Sequence, residues 1–206
     1  MAKGPKVDKE ELLQAGLRLM QKSGKPLKKA PSNGTAKIFS LPNGETVRAR
    51  TCNDHIMIVI ADQPHLDAKL NIEGTDWVML TMPETPRTPG PVVVYLLPTE
   101  KLISDARQSH GAWLKTHPRT NGRNTTWNLW FEGEGHPWDG YAKKWEEYRI
   151  PGAASTSDIK TEGLSDTELK PNPSLLKDEI GLSRERIAKL AGVSVEAVRV
   201  SIDFAS

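Results

Sequence analysis

Apolar residues recur along the first part of the chain with two different periods, and the change of period separates a helix from strands. Over residues 8–22 they return every three or four positions, which predicts an amphipathic helix with an Asp-x-x-Glu capping box at its start. Gly24 favours an end to that helix. Residues 38–39 and 46–52 then alternate with period two around a Pro-Asn-Gly turn, so they predict a β-hairpin.

Three longer apolar segments follow, at residues 55–61, 77–82 and 92–97, and each predicts a strand. Residues 55–61 (HIMIVIA) are almost entirely apolar, as in a central strand that is buried on both faces of a sheet. The pattern continues with a predicted helix over residues 102–114 and a short strand over residues 126–131.

A closing helix over residues 140–149, with its aromatic residues on one face, completes the predicted domain. The order of elements over residues 1–150 predicts an α/β (α+β) domain with a mixed or antiparallel sheet. Residues 151–172 are rich in Pro, Gly, Ser, Thr and acids, which predicts a flexible linker. Residues 173–206 then predict a small all-α domain.

Within that domain, residues 182–204 have the spacing of two short helices joined by a tight turn. Gly192 suits the left-handed conformation of such a turn, Ser194 is placed to cap the second helix with its hydroxyl, and Val198 faces inward. The segment resembles the bacterial helix-turn-helix pattern S-x-x-x-I-A-x-x-A-G-V-S-x-x-x-V over about a tenth of the chain. The matching residues are Ser183, Ile187, Ala188, Ala191, Gly192, Val193, Ser194 and Val198.

The resemblance implies that the second helix lies in the major groove of double-stranded DNA. It implies that Val195, Glu196 and Arg199 contact the edges of bases. It also implies that Ser194, Arg184 and Arg186 contact phosphates. A homodimer is expected, because one short helix reads only a few base pairs and a palindromic site doubles the contact. Plain helical hairpins that bind protein share this pattern, so a protein-interaction adaptor is an alternative.

The formal net charge is only +2, but the charge is unevenly distributed. Residues 1–50 carry eleven Lys and Arg against four Asp and Glu, whereas residues 173–206 carry five of each kind. Phosphate neutralisation supplies much of the affinity for DNA, so the helix pair needs a basic surface elsewhere. Two segments are candidates, although both are also typical of solvated surface: Lys22, Lys25, Lys28 and Lys29, and Lys115, Arg119 and Arg123.

The order of elements in residues 1–150 also resembles the layout of the restriction-endonuclease-like superfamily. Such nucleases hold Mg²⁺ between an acid on one strand and an acid-x-Lys sequence on the next, whose lysine polarises the attacking water. The candidates here are Asp54, Asp67 and Lys69. Acid-x-Lys matches arise by chance in a chain so rich in charge, and if residues 47–51 are the catalytic strand, they carry arginines and no acid. A magnesium-dependent nuclease is therefore the alternative function, and an enzyme is not the favoured one.

The other reactive side chains predict neither a cofactor nor a metal. A single cysteine, Cys52, excludes an internal disulfide and favours a core position. The five histidines lack a metal-ligand spacing, and neither a phosphate-binding loop nor a serine elbow is present. Tryptophan in an apolar pattern is more typical of a core than of base stacking, and Trp138, in a loop, is the best exception.

No apolar run approaches the length of a membrane span, and the first residues lack the apolar core of a signal peptide. We therefore expect a cytoplasmic protein without a membrane partner, associated with the nucleoid. Taken together, the patterns predict a sequence-specific DNA-binding protein that acts as a bacterial transcriptional regulator.

Overall fold

The computed structural model describes residues 5–31, 36–120, 122–157, 188 and 194–198. The chain divides into two units, Met1–Gly163 and Leu164–Ser206. The helices and strands are α1 (Lys9–Lys22), β1 (Lys28–Lys29), β2 (Ile38–Ser40), β3 (Thr46–Thr51), β4 (Ile56–Ile60), β5 (Trp77–Pro83), β6 (Val92–Pro98), α2 (Thr99–Thr116), β7 (Thr126–Trp130) and α3 (Tyr141–Lys144). In the part of the chain so described, no helix combines the length and the apolar composition that a membrane span requires.

Helix α1 begins and ends where the sequence predicts. The Asp8 carboxylate accepts hydrogen bonds from the backbone N–H groups of Glu10 and Glu11, at 2.8 and 3.2 Å, and so caps the helix. Beyond Lys22 the chain turns at Gly24, whose φ of +77° is a left-handed conformation that glycine adopts without strain. The predicted helix is therefore confirmed, and so is its cap.

The strands form two sheets. The larger has the order β1-β2-β3-β5-β6, in which β3 and β5 are parallel and the other pairs are antiparallel. The smaller is the antiparallel pair of β4 and β7. The prediction of a mixed sheet in an α/β (α+β) domain is thus confirmed, together with the β2–β3 hairpin.

The larger sheet separates two apolar clusters, because β5 and β6 are buried on both faces. On β5, Val78 and Leu80 point into the cluster beneath α2 and the smaller sheet, while Met79 points into the cluster beneath α1. Side chains that alternate in this way give a domain of three layers. They are α1, the larger sheet, and a third layer that contains α2 and the smaller sheet. Trp127 and Trp145 are fully buried in the α2 cluster.

The prediction that residues 55–61 form a central strand is wrong. Strand β4 pairs with β7 alone in the smaller sheet, and only alternate side chains, such as Met57 and Val59, are buried. Ile58 and Ile60 are 45% and 47% exposed. An apolar run shows that both faces of a strand tolerate burial, whereas burial itself requires a second layer that sequence alone does not reveal.

The segment after β7 also differs from its prediction. The closing helix is only α3 followed by a 3₁₀ turn at Glu146–Tyr148. The first residues of the predicted linker lie along β6, where Val92 N–H donates to the Ala154 carbonyl at 3.0 Å and Thr156 N–H donates to the Gly90 carbonyl at 2.9 Å. Backbone bonds to a sheet edge need no particular side chains, so the composition of residues 151–157 did not indicate them.

Candidate nucleic-acid interface

A cavity of about 340 Å³ lies between the last turns of α2, the strand β7 and the loop that follows β7. Aromatic rings and neutral polar groups line it, and none of the lining residues is Asp, Glu, Lys or Arg. They are Ser109, His110, Trp113, His117, Asn124, Thr126, Asn128, Trp130, His136 and Trp138. A mostly aromatic concave surface with a few polar groups is typical of a ligand site.

Helix α2 supplies one wall through three rings. His110, Trp113 and His117 are three and four positions apart, which places them on one face of the helix and its C-terminal cap. The rings stack in sequence, with centroids 5.6 Å apart for His110 and Trp113 and 4.3 Å apart for Trp113 and His117. The Thr116 hydroxyl lies 2.8 Å from His117 Nδ1 and holds the last ring of this series.

Strand β7 supplies the next wall because its side chains alternate between core and cavity. Trp127 and Leu129 point into the core, and Asn128 and Trp130 point to the other face. Trp127 also stacks on the ring of His110, with centroids 4.6 Å apart and an interplanar angle of 13°. The core is thereby joined directly to the cavity wall.

The loop after β7 supplies the last wall. The backbone N–H of Trp130 donates to the backbone carbonyl of Trp138 at 3.0 Å, and Lys144 Nζ donates to the Pro137 carbonyl at 2.7 Å. These two hydrogen bonds fix the loop that carries Trp138. The Trp138 ring stacks on His136 at 4.7 Å and meets His117 edge-on at 6.4 Å. Rings therefore follow one another around the cavity from α2 to this loop.

His110 is the most deeply placed polar group of the cavity. It is 5% exposed, and burial lowers the pKa of its ring from 6.5 to about 4, so the imidazole is neutral near pH 7. Its ring stacks with those of Trp113 and Trp127. A neutral imidazole carries one hydrogen-bond donor and one acceptor at this wall of the cavity.

The predicted basic segment begins in the last turn of α2 with Lys115 and continues with Arg119 and Arg123 in the connection to β7. All three side chains are exposed, and along the chain they lie next to the cavity residues His117 and Asn124, although none of the three lines the cavity itself. In the loop after β7, the Glu132 carboxylate lies 2.9 Å from His55 Nδ1.

The other predicted basic segment lies at the end of α1 and on β1. Lys22, Lys25, Lys28 and Lys29 are all exposed, and none of them lines the aromatic cavity. The structure therefore separates the two basic segments that the sequence proposes as partners of the helix-turn-helix.

Most predicted contacts of the helix-turn-helix, namely Arg184, Arg186, Arg199 and the side chain of Glu196, lie outside the described residues. Ser194 and Val195 are described, and Ser194 occupies the N-cap of a 3₁₀ turn at Val195–Ala197. The Ser194 side chain makes no hydrogen bond to that turn, in contrast to the predicted cap. Val198 is 8% exposed, but its backbone is extended after that turn, so the predicted position on a second helix stays a prediction.

The residues of the nuclease alternative lie apart from the aromatic cavity. Asp54 forms ion pairs with Arg87 and Lys6 beside another cavity, of about 230 Å³, which neither Asp67 nor Lys69 lines. Asp67 and Lys69 are exposed in the connection between β4 and β5. No group of three His, Cys, Asp or Glu that could hold a metal ion occurs within the described ranges. Cys52 is buried, as predicted.

Of the three tryptophans that line this cavity, the sequence singled out Trp138 as the best candidate for base stacking. The spacing His-x-x-Trp-x-x-x-His at residues 110–117 would have indicated the rings from α2, because it places all three on one face of a helix. No family model matches this chain, and neither a curated protein nor a solved structure matches it.

Proposed function

We propose that this protein binds DNA. The observation that carries the proposal is the exposed cationic segment with Lys115, Arg119 and Arg123, which is interleaved along the chain with residues that line a cavity of aromatic rings. Lysine and arginine neutralise phosphates without regard to sequence, and aromatic faces and amide groups interact with bases. In this proposal the cations contact phosphates, and the cavity contacts bases.

More specifically, we propose that the protein is a bacterial transcriptional regulator that binds double-stranded DNA as a homodimer. The support for this proposal is the helix-turn-helix pattern over residues 182–204 and the burial of Ala188 and Val198, which that pattern places on inward faces. In this proposal Val195, Glu196 and Arg199 contact base edges, while Arg184, Arg186 and Ser194 contact phosphates.

The salt dependence of binding tests the role of the cationic segment. A variant with Lys115, Arg119 and Arg123 changed to Gln is compared with a control in which the exposed Lys9, Lys37 and Lys69 are changed to Gln, so that both lose the same charge. Each lost phosphate contact flattens the slope of log affinity against log salt by roughly 0.9. We expect the slope, measured by fluorescence anisotropy on a labelled duplex, to flatten by roughly two to three in the first variant and to change little in the control. Equal slopes for both variants would contradict the proposed surface, and a wild-type protein that binds no DNA at low salt would contradict the function.

The substitution Arg199→Ala tests the more specific proposal. We expect a roughly tenfold or greater loss of affinity for a DNA sequence selected from a random pool, because a side chain at a base edge contributes about 1–3 kcal/mol to discrimination. Gel-shift titrations of the full chain measure this loss, and circular dichroism checks that the fold is kept. Unchanged binding of the selected sequence would exclude Arg199 from recognition.

A further inference from the structure

We propose that the aromatic cavity receives one unpaired nucleobase of a DNA strand, stacked among its tryptophan and histidine rings. The proposal rests on the DNA binding proposed above and specifies what the cavity adds to it. A strand with free bases would then bind to this surface better than a regular duplex.

The tryptophan rings fall into two groups. Trp127 and Trp145 are buried in the core, as tryptophan usually is, whereas Trp113, Trp130 and Trp138 line the cavity. Trp113 already stacks with His110 and His117 and builds the wall, while Trp130 is 41% exposed and offers a base a stacking partner. Such stacking tolerates any of the four bases. The ring wall is thus suited to a planar aromatic group.

Uncharged polar groups at the cavity wall supply hydrogen-bonding capacity. His110, which is 5% exposed, brings an imidazole, and Asn128 adds an amide from the face of β7 that points away from the core. Each of these side chains carries both a donor and an acceptor. The edge of an unpaired base presents donors and acceptors that can pair with them.

Positive charge lies close to the cavity along the chain. Lys115, Arg119 and Arg123 are exposed and are separated by only one or two residues from His117 and Asn124, which line the cavity. A phosphate backbone would therefore lie along Lys115, Arg119 and Arg123, with the base directed into the cavity. An uncharged sugar or a purely apolar ligand carries no negative charge that these cations could bind.

The volume of the cavity also fits a single base. The cavity, at about 340 Å³, is near the lower end of the range of roughly 300–1,000 Å³ for small-molecule pockets. It suits a single base and is too small for a base pair with its stacked neighbours. A base within a duplex would first have to leave the stack, which costs a few kcal/mol.

The decisive experiment compares a labelled 12-nucleotide single strand, the blunt duplex of the same sequence, and the same strand with abasic sites. The full-length protein is used as wild type and as the variants Trp138→Ala, Trp138→Phe and Trp113→Leu. Trp77→Phe is the matched control, because Trp77 lies on β5, donates to Glu45 and does not line the cavity. Anisotropy gives the affinity, and quenching of tryptophan fluorescence reports stacking.

We expect the wild type to prefer the single strand and to lose affinity when bases are removed. Trp138→Ala and Trp113→Leu should weaken the single-strand complex roughly tenfold while changing duplex affinity less than about twofold. Trp138→Phe should restore most of the affinity because it restores a ring, and Trp77→Phe should resemble the wild type. The abasic strand tests the same point with unmodified protein, so a variant that fails to fold does not prevent a decision.

The outcomes separate this inference from the proposed function. If neither form of DNA binds at low salt, the proposed function fails, and the inference fails with it. If duplex binds but base removal and the ring variants have no more effect than Trp77→Phe, the inference alone is overturned. Adenosine or thymidine monophosphate bound as tightly as the strand would make the cavity a free-nucleotide site. Quenching by maltohexaose in place of DNA would make it a sugar site.

Discussion

Helices α1 and α2 cover opposite faces of the same sheet, yet they meet it in different ways. Helix α1 packs so closely that Gly16 faces Thr81 of β5 without room for another carbon, and Leu12 and Leu19 are almost completely buried. Helix α2 buries Leu102 in its first turn in the same manner, but its last turns border the aromatic cavity. Both helices are amphipathic, and only the second leaves part of its inward surface open to a ligand.

The polar groups of α2 show the same division within a single helix. Asp105 is 9% exposed, and it accepts hydrogen bonds from Trp145 Nε1 and Lys101 Nζ at 2.7 Å each. Five residues later, His110 is 5% exposed, stacks with the rings of Trp113 and Trp127 and lines the cavity. Asp105 therefore ties the closing segment to α2, whereas His110 forms part of the cavity wall.

The largest expected effect tests the close contact of α1. A Cβ atom at position 16 would lie 2.1 Å from Thr81 Oγ1, so Gly16→Ala should lower the free energy of unfolding by roughly 1–3 kcal/mol. The gain in helix propensity, about 1 kcal/mol, offsets only part of that strain. Urea denaturation measures the loss, and the double variant with Thr81→Ala should recover part of it. A Gly16→Ala protein as stable as the wild type would show that α1 is not so tightly packed.

The next effect concerns His110 and the pH dependence of stability. Burial lowers the pKa of its ring from 6.5 to about 4, so the unfolded chain binds a proton in this range that the folded chain does not. The contribution of His110 to the free energy of unfolding should therefore be present in full above about pH 6.5, and it should be lost as the pH decreases to about 4. We expect this group to contribute about 1–2 kcal/mol, because solvent screening through the opening of the cavity reduces the effect.

Urea denaturation at several pH values, compared with His110→Phe, measures this contribution. The variant should lose less stability than the wild type over the same interval. Parallel curves for the two proteins would mean that the pKa of His110 is the same in the folded and the unfolded chain, so that burial in the cavity wall does not lower it.

The smallest effect completes the comparison of the helices. Gly111 also lies inside a helix, but a Cβ atom there would be 3.4 Å from Leu66 Cδ1, which is an ordinary contact. Gly111→Ala should therefore raise the free energy of unfolding by about 0.5–1 kcal/mol, the opposite direction from Gly16→Ala. The same urea experiment measures it, and a loss of stability would mean that α2 is packed as closely as α1.

Much of the fold could be predicted because it depends on short-range patterns. The periods of the apolar residues, the carboxylate before α1 and the turn between β2 and β3 act over a few residues, and the structure confirms each of them. The position of β4 could not be predicted, because an apolar strand does not record which of its faces another layer covers. Similarly, nothing in the composition of residues 151–157 indicates their backbone bonds to β6.

The candidate site follows the same distinction. The sequence by itself determined the cationic segment around Lys115 and marked Trp138 as an unusual tryptophan, because charge and loop position are local properties. Only the tertiary structure brought Trp138 to His117 and opened a cavity between α2 and β7. Rings that are distant along the chain become one surface through the packing of a helix, a strand and a loop, and that packing depends on contacts that no local pattern specifies.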